Sequence, residues 1–250
     1  MRTLRLTLAY DGTRYAGWQR QRNGSPRTIQ AAVERALRRI VGERVSVVAS
    51  GRTDAGAHAL AQVAHARLRA ATPSDRLFRA LNHLLPPDIA VLRLDEAPPG
   101  FHAQRHAVRK LYRYRMFTGP VVPPFIRSYV HQVRVPLNLA LMRREAAALR
   151  GRHDFRAFAR ASGEGRASTV RRITRIALRR RGPELQLEVE GTGFLHAMVR
   201  SIAGTLIDIG RGRFAPGTIR RMLATGNRAL AGITAPAKGL ALVSVAYKNP

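Results

Sequence analysis

Asp54 is the residue for which chemistry is easiest to write. It stands in the run Ser50-Gly51-Arg52-Thr53-Asp54-Ala55-Gly56-Ala57-His58, where two glycines permit a tight backbone path and Arg52 sets a cation beside the carboxylate. An aspartate held in this way can attack an electrophilic carbon or take a proton, and both uses belong to glycosidic chemistry. The plain alternative is an ordinary turn in which Thr53 and Asp54 cap backbone amides, the commoner fate of an aspartate in a Gly-rich loop. A second group is Tyr112 with Tyr114, which share a strand face with Lys110 while Arg113 and Arg115 occupy the other. Aromatics alternating with cations suit base stacking and phosphate pairing, and half-buried sheet tyrosines are the competing reading. The third is Arg200, in Phe194-Leu-His-Ala-Met-Val-Arg200 at the edge of an apolar helical stripe. A guanidinium partly buried there needs a carboxylate partner, for which Asp54 is a candidate. The alternative is a flanking arginine that reaches solvent.

Composition decides what surrounds these groups. Lys+Arg number 44 against 15 Asp+Glu, a net charge of +29, and only Lys110, Lys238 and Lys248 of those cations are lysines. Such a chain repels itself unless a polyanion supplies counter-charge. Arginine favours nucleic acid as that polyanion, because its planar fork grips phosphate and stacks on bases. Heat adaptation or a GC-rich genome also enriches arginine, but thermophilic bias normally raises Glu as well, and acids are scarce here. The absence of cysteine excludes disulfides, thiolate catalysis and cysteine-ligated zinc. The eight histidines show no H-E-x-x-H pattern, so no metal is expected. A G-x-x-x-x-G-K-[ST] loop is absent, which disfavours nucleotide hydrolysis. No apolar run approaches the roughly 18 residues of a membrane span. Arg2 and Arg5 interrupt the early apolar stretch before a signal-peptide core can form, so no membrane association and a cytoplasmic location are expected.

The elements that must position these residues follow from periodicity. Residues 2–10 alternate as a strand. Ile29, Val33, Ala36, Leu37 and Ile40 fall at helical spacing, with Thr28 as cap and Gly42 as stop. Strands fit 44–49, 61–68 and 88–94, and a helix fits 74–85, halted by Pro86-Pro87. After an aperiodic connector at 95–107 the pattern repeats. A strand at 108–117, a helix near 137–150, strands at 171–180 and 184–190, helices marked by Leu195 through Ile209 and by 216–224, and a strand at 239–247 follow in turn. The polar stretch from Arg160 to Arg166 reads as a loop. Two successive β-α-β-β-α-β units imply an α+β protein of two ferredoxin-like (split βαβ) domains with antiparallel sheets, residues 1–100 and 101–250. Sheets of this topology offer an open face on which RNA bases stack.

Taken together, these motifs resemble the tRNA pseudouridine synthase A family over nearly the whole chain. The likeness runs through Ala9-Tyr10-Asp11-Gly12, Gly17-Trp18-Gln19-Arg20-Gln21, the Asp54 run, Leu85-Pro86-Pro87-Asp88-Ile89, Phe101-His102-Ala103 and Tyr112-Arg113-Tyr114. It continues through Gly151-Arg152-His153-Asp154-Phe155, Phe194 to Arg200, and Thr234-Ala235-Pro236-Ala237-Lys238-Gly239-Leu240. The resemblance implies a homodimeric isomerase that converts uridines 38, 39 and 40 of the tRNA anticodon stem-loop to pseudouridine without cofactor or metal. It implies Asp54 as nucleophile, and Tyr112 stacked on the target base and assisting proton removal. It also implies Arg200 paired with Asp54, Arg52 filling the space the extruded base leaves, and Leu240 packed against the uracil. Ala57 departs from the valine expected in most relatives, a change behind the loop and not in the chemistry.

Two competing classes remain. A non-catalytic RNA binder on the same paired sheets accounts for the charge and the tyrosines, but it gains nothing from a negative group in its groove. A DNA-binding architectural protein fits less well, since no helix-turn-helix or basic helix emerges; DNA is not expected as a partner.

Overall fold

The computed structural model describes residues 1–20, 27–160 and 168–248. The loop read from Arg160 to Arg166 therefore lies outside the described residues except for Arg160 itself, as does Gln21. The chain divides into two compact units, one of residues 1–108 with 241–250 and one of residues 109–240.

In the first unit, β1 (Arg2–Tyr10) turns Leu4, Leu6, Leu8 and Tyr10 inward, each at most 5% exposed. Strict alternation is what a strand with one covered face requires. Strand β1 pairs antiparallel with β3 (His58–Leu68) and with β4 (Ile89–Ala97), and β2 (Val47–Ala49) pairs antiparallel with β3. The resulting order, β4-β1-β3-β2, is that of a split βαβ unit. Helices α1 (Ile29–Val41) and α2 (Ser74–Leu84) bury Val33, Leu37, Leu77 and Leu81, each burial contributing about 2 kcal/mol. Thr28 caps α1 by accepting the Ala31 N–H at 3.3 Å, and Gly42 ends it in the left-handed region at φ 73°.

The connector after β4 is more ordered than its aperiodic sequence suggests. Ala103 N donates to Nδ1 of the buried His65 at 3.1 Å, and the Tyr247 hydroxyl donates to Ala103 O at 2.7 Å. Side-chain anchoring of this kind leaves no period to read. Tyr247 belongs to β10 (Leu240–Tyr247), which lies parallel to β3 with Ala241 opposite His58. The sequence reading grouped this strand with residues 101–250 by chain order, and alternation alone says nothing about which strand is the partner.

In the second unit, β5 (Ala107–Phe117), β9 (Glu184–Gly191), β8 (Val170–Arg181) and β7 (Gly151–Asp154) lie side by side in that order, all antiparallel. A two-residue β6 (His131–Gln132) runs parallel to β5. Helix α3 (Leu139–Ala147) lends the Glu145 carboxylate to the start of α5 (Thr218–Thr225), where it accepts from Gly217 N at 2.7 Å and Ile219 N at 3.2 Å. A carboxylate at a helix start satisfies amides that have no helical partner. Helix α4 (Met198–Gly210) buries every residue except Arg200, with the polar Ser201, Thr205 and Asp208 among the buried.

Candidate active site

The Asp54 loop joins β2 to β3, and its conformation is imposed by residues 10–18. Trp18 N donates to Thr53 O at 3.1 Å, Gly56 N donates to Tyr15 O at 3.2 Å, and Ala57 N closes the turn on Asp54 O at 3.1 Å. Gly56 takes φ 77° within that turn, which only glycine adopts without strain. The two segments touch backbone to backbone. A Cβ on Gly12 would stand 1.9 Å from Ala57 O, and one on Gly17 would stand 2.6 Å from Thr53 O.

Behind the loop runs a buried polar chain. The Ser50 hydroxyl donates to Gln62 Oε1 at 2.7 Å, and Gln62 Nε2 donates to Gly51 O at 2.9 Å and to the Tyr10 hydroxyl at 3.4 Å. The Tyr10 hydroxyl, having accepted from Gln62, also shares a hydrogen bond with Thr53 Oγ1 at 2.8 Å. Both amide hydrogens and the carbonyl of Gln62 are thereby used, which fixes a single orientation. Burial pushes the Tyr10 phenol up to about 12, so it stays neutral at any working pH. The loop is thus braced at Gly51, Thr53, Asp54, Gly56 and Ala57. Asp54 itself is half-buried and Arg52 is exposed.

Trp18 and Tyr10 pack with ring centroids 6.2 Å apart, which seals the rear of this segment. Tyr15 donates to Asp88, and Arg27 lies over the Tyr15 ring at 4.7 Å and donates to its hydroxyl at 3.0 Å. The motif residues Tyr10, Gly12, Gly17, Trp18 and Asp88 thus act as a frame for the loop and its neighbours.

Tyr112, Arg200 and Leu240 belong to the second unit. Tyr112 is 7% exposed and meets Phe194 edge-on, with centroids 5.0 Å apart. Tyr114 is fully buried, and its hydroxyl donates to Pro236 O at 2.9 Å. Burial raises its phenol well above the usual range, and the charge of Arg200 pulls back part of that rise. Arg200 is half-buried in the first turn of α4 and donates from Nε to Ala235 O at 2.8 Å. Ala235 N in turn donates to Arg200 O at 3.1 Å. Residues 232–235 are strapped along α4 because Gly204 has no side chain, and a Cβ there would stand 1.8 Å from Ile233 O. Just before α4, Ala197 sits at φ 56°, a left-handed conformation rarely adopted by alanine. Leu240 is 6% exposed, and the preceding Gly239 lies flat against the Tyr114 ring.

Arg113 and Arg115, read from sequence as phosphate partners, are committed elsewhere. Arg113 reaches Glu188 with Nε at 3.1 Å and Nη2 at 2.8 Å, and Arg115 grips both oxygens of Glu184 at 2.8 and 2.7 Å. These acids lie on β9, where Glu188 stands directly opposite Arg113 in the register. Opposite charges facing each other across a ladder stabilise the pairing. Among the residues sequence reasoning missed, Gln62 is the clearest, and its signal was an amide set inside the apolar run Ala59-Leu-Ala-Gln62-Val-Ala.

Among the described residues, no group of three or more His, Cys, Asp or Glu is gathered as metal ligands, and no helix is long and apolar enough to cross a membrane.

An α+β protein with antiparallel sheets and a braced, carboxylate-bearing loop defines the class of molecule, and comparison with known proteins gives its family. The family described as tRNA pseudouridine synthase matches residues 7–104 and 146–248. A tRNA pseudouridine synthase A of Pelobacter propionicus is 45% identical over 247 residues, covering 99% of this chain and 100% of that protein. The Moorella thermoacetica protein of that name matches to the same degree, and one from Ruminiclostridium cellulolyticum is 42% identical over 248 residues. A solved Cbf5-Nop10-Gar1 complex overlaps 97% of this chain and 59% of that chain at 12% identity, with a TM-score of 0.34. The chain belongs to the tRNA pseudouridine synthase family and is an RNA-modifying isomerase.

Proposed function

We propose that the protein acts on tRNA, converting uridines 38, 39 and 40 of the anticodon stem-loop to pseudouridine with Asp54 as the nucleophile. The observation that carries the reading is the bracing of the Asp54 loop. Two glycine contacts, three backbone hydrogen bonds and the Gln62 chain hold the backbone that carries Asp54 in a single conformation, and an ordinary surface turn has no need of that. Holding a reacting group in advance of its substrate removes the entropy cost from the chemical step.

A uridine within a stem has to leave its stack, at a cost of a few kcal/mol, and arginine contacts to phosphate offset that cost. Asp54 then promotes cleavage of the bond from C1′ to N1. The uracil turns and C1′ joins C5; the hydrogen on C5 leaves to water and N1 gains one, so the overall change is an isomerisation that needs no cofactor. Tyr112 receives the base on its ring and assists removal of the proton. Arg200 supplies the charge that steadies the nucleophile, Arg52 fills the vacated place in the stem, and Leu240 packs against the uracil. A water-poor pocket matters because water would otherwise capture the sugar. The working form is a homodimer in the cytoplasm, with one tRNA touching both subunits.

The test uses unmodified tRNA labelled with tritium at uracil C5. Asp54→Asn is expected to bind tRNA as the wild type does and to release no tritium; substantial release by that variant would remove Asp54 from the mechanism.

A further inference from the structure

Arg228 has no part in the roles above, yet its guanidinium ties together three stretches of the second unit. Its Nη1 donates to Ala157 O at 3.2 Å and to the Ser201 hydroxyl at 3.1 Å, and its Nη2 donates to the Thr234 hydroxyl at 3.2 Å. Ala157 lies in the short turn Arg156–Phe158, Ser201 in α4, and Thr234 in the strap along that helix. All three acceptors are neutral, so the cation serves geometry here. A planar fork reaches several fixed acceptors at once, which an ammonium on a flexible stem does not. Two of the three acceptors have telling neighbours in the chain. Thr234 precedes Ala235 and Ser201 follows Arg200, and it is Arg200 and Ala235 that exchange two hydrogen bonds, Arg200 Nε to Ala235 O at 2.8 Å and Ala235 N to Arg200 O at 3.1 Å. The fork therefore grips the residue beside each member of that pair, and the two hydroxyls it holds stand 3.5 Å apart. Further along, the fully buried Thr205 hydroxyl donates to Ser201 O at 2.8 Å and accepts from Gly232 N at 3.0 Å. Ile233 N donates to the buried Asp208 carboxylate at 3.4 Å.

We propose that Arg228 is the positioning residue for Arg200: its fork fixes the strap against α4, and the strap, through Ala235 O, fixes the direction in which the Arg200 guanidinium presents its charge. This rests on the reading of Arg200 given above. Arg228 acts through that residue and touches neither the substrate nor the reacting atoms. A displacement of about 1 Å in such a group costs rate and leaves binding alone. The competing role for an exposed arginine, a contact to a tRNA phosphate, needs the charge and not the fork.

The experiment uses the full-length protein and the tritium-labelled tRNA. Arg228→Met is expected to lower kcat about tenfold, with KM and the dependence of tRNA affinity on salt unchanged. Arg228→Lys falls with it, because it keeps the charge and loses the fork. Thr234→Val removes the acceptor on the strap, lowers kcat in the same sense and adds little to Arg228→Met. In an Arg200→Lys background the effect of Arg228→Met shrinks to about twofold or less, as expected of two residues acting through one contact. Hydrogen exchange at the Ala235 amide is about tenfold faster in Arg228→Met than in wild type. Recovery of kcat in Arg228→Lys, a shallower salt dependence, a full loss that persists beside Arg200→Lys, or unchanged exchange at Ala235 would overturn the proposal. If Arg228→Met does not fold, Thr234→Val carries the kinetic and exchange measurements. Wild-type tritium release by Arg200→Met would instead sink the reading of Arg200. Exchange at Ala235 would still report whether Arg228 holds the strap, so the two failures are distinguishable.

Discussion

The Asp54 loop and the Tyr112 face are built by opposite means. In the first unit, position comes from backbone contact: glycines pressed against carbonyls, a hydrogen bond from the Trp18 amide and one to the Tyr15 carbonyl, and one glutamine spent entirely on the frame. In the second, it comes from side-chain volume: Tyr112 against Phe194, Tyr114 sealed by Gly239, and α4 buried on every side but that of Arg200. Backbone contact tolerates almost no added atom, whereas packed side chains tolerate exchange at constant volume. On the function proposed above, the bond-breaking group is the one held by backbone contact and the base-receiving surface the one held by side-chain packing.

That contrast can be broken, beginning with the largest effect. Gly12→Ala puts a methyl group 1.9 Å from Ala57 O, so the loop has to move. We expect tritium release to fall by two orders of magnitude or more and urea denaturation to show a loss on the order of 3 kcal/mol. Near-normal turnover in that variant would mean the bracing is incidental. Gln62→Leu keeps the volume but takes from Ser50 Oγ, Gly51 O and the Tyr10 hydroxyl the hydrogen bonds they make with Gln62, and is expected to cost about 1 to 3 kcal/mol with a clear drop in kcat. Tyr114→Phe gives up only the bond to Pro236 O; about 1 kcal/mol is the expected cost, with turnover retained. A larger catalytic loss at Tyr114 than at Gln62 would reverse the comparison.

The smallest effect concerns pH. Burial, with help from His102 and Arg67, lowers the His65 imidazole from 6.5 to about 4. The unfolded chain then binds the extra proton first, so this contribution is fully present above pH 6.5 and fades as the pH falls toward about 4. Thermal melts of wild type should lose stability across that window more steeply than those of His65→Asn, which keeps an acceptor for Ala103 N without titrating. Parallel curves would remove His65 as the cause.

What was legible in the sequence was what local chemistry dictates. Thr28 and Gly42 bound α1 because caps act within one turn, and Pro86 and the Gly182-Pro183 turn end their elements because backbone constraints are local. The antiparallel α+β architecture followed from the order of such elements. Strand β2 proved shorter than the stretch 44–49, because its length depends on how far β3 runs beside it. The acids paired with Arg113 and Arg115 were invisible because the sheet brings together residues some 70 positions apart. The Asp54 run announced itself, but its support from Gly12, Gly17 and Gln62 rests on contacts that no spacing rule reports. The family resemblance had already gathered most of those residues without stating what each one holds.

The return of the final strand to the first unit has a consequence for biosynthesis. A ribosome releases the chain from its amino end, yet the parallel neighbour of β3 begins only after Leu240. The unit that carries Asp54 therefore waits, one sheet edge unfilled, while all 132 residues from Arg109 to Leu240 are made. Until then the nascent product has Asp54 but not a finished scaffold, and a chain cut short before Ala241 leaves the earliest-made half incomplete.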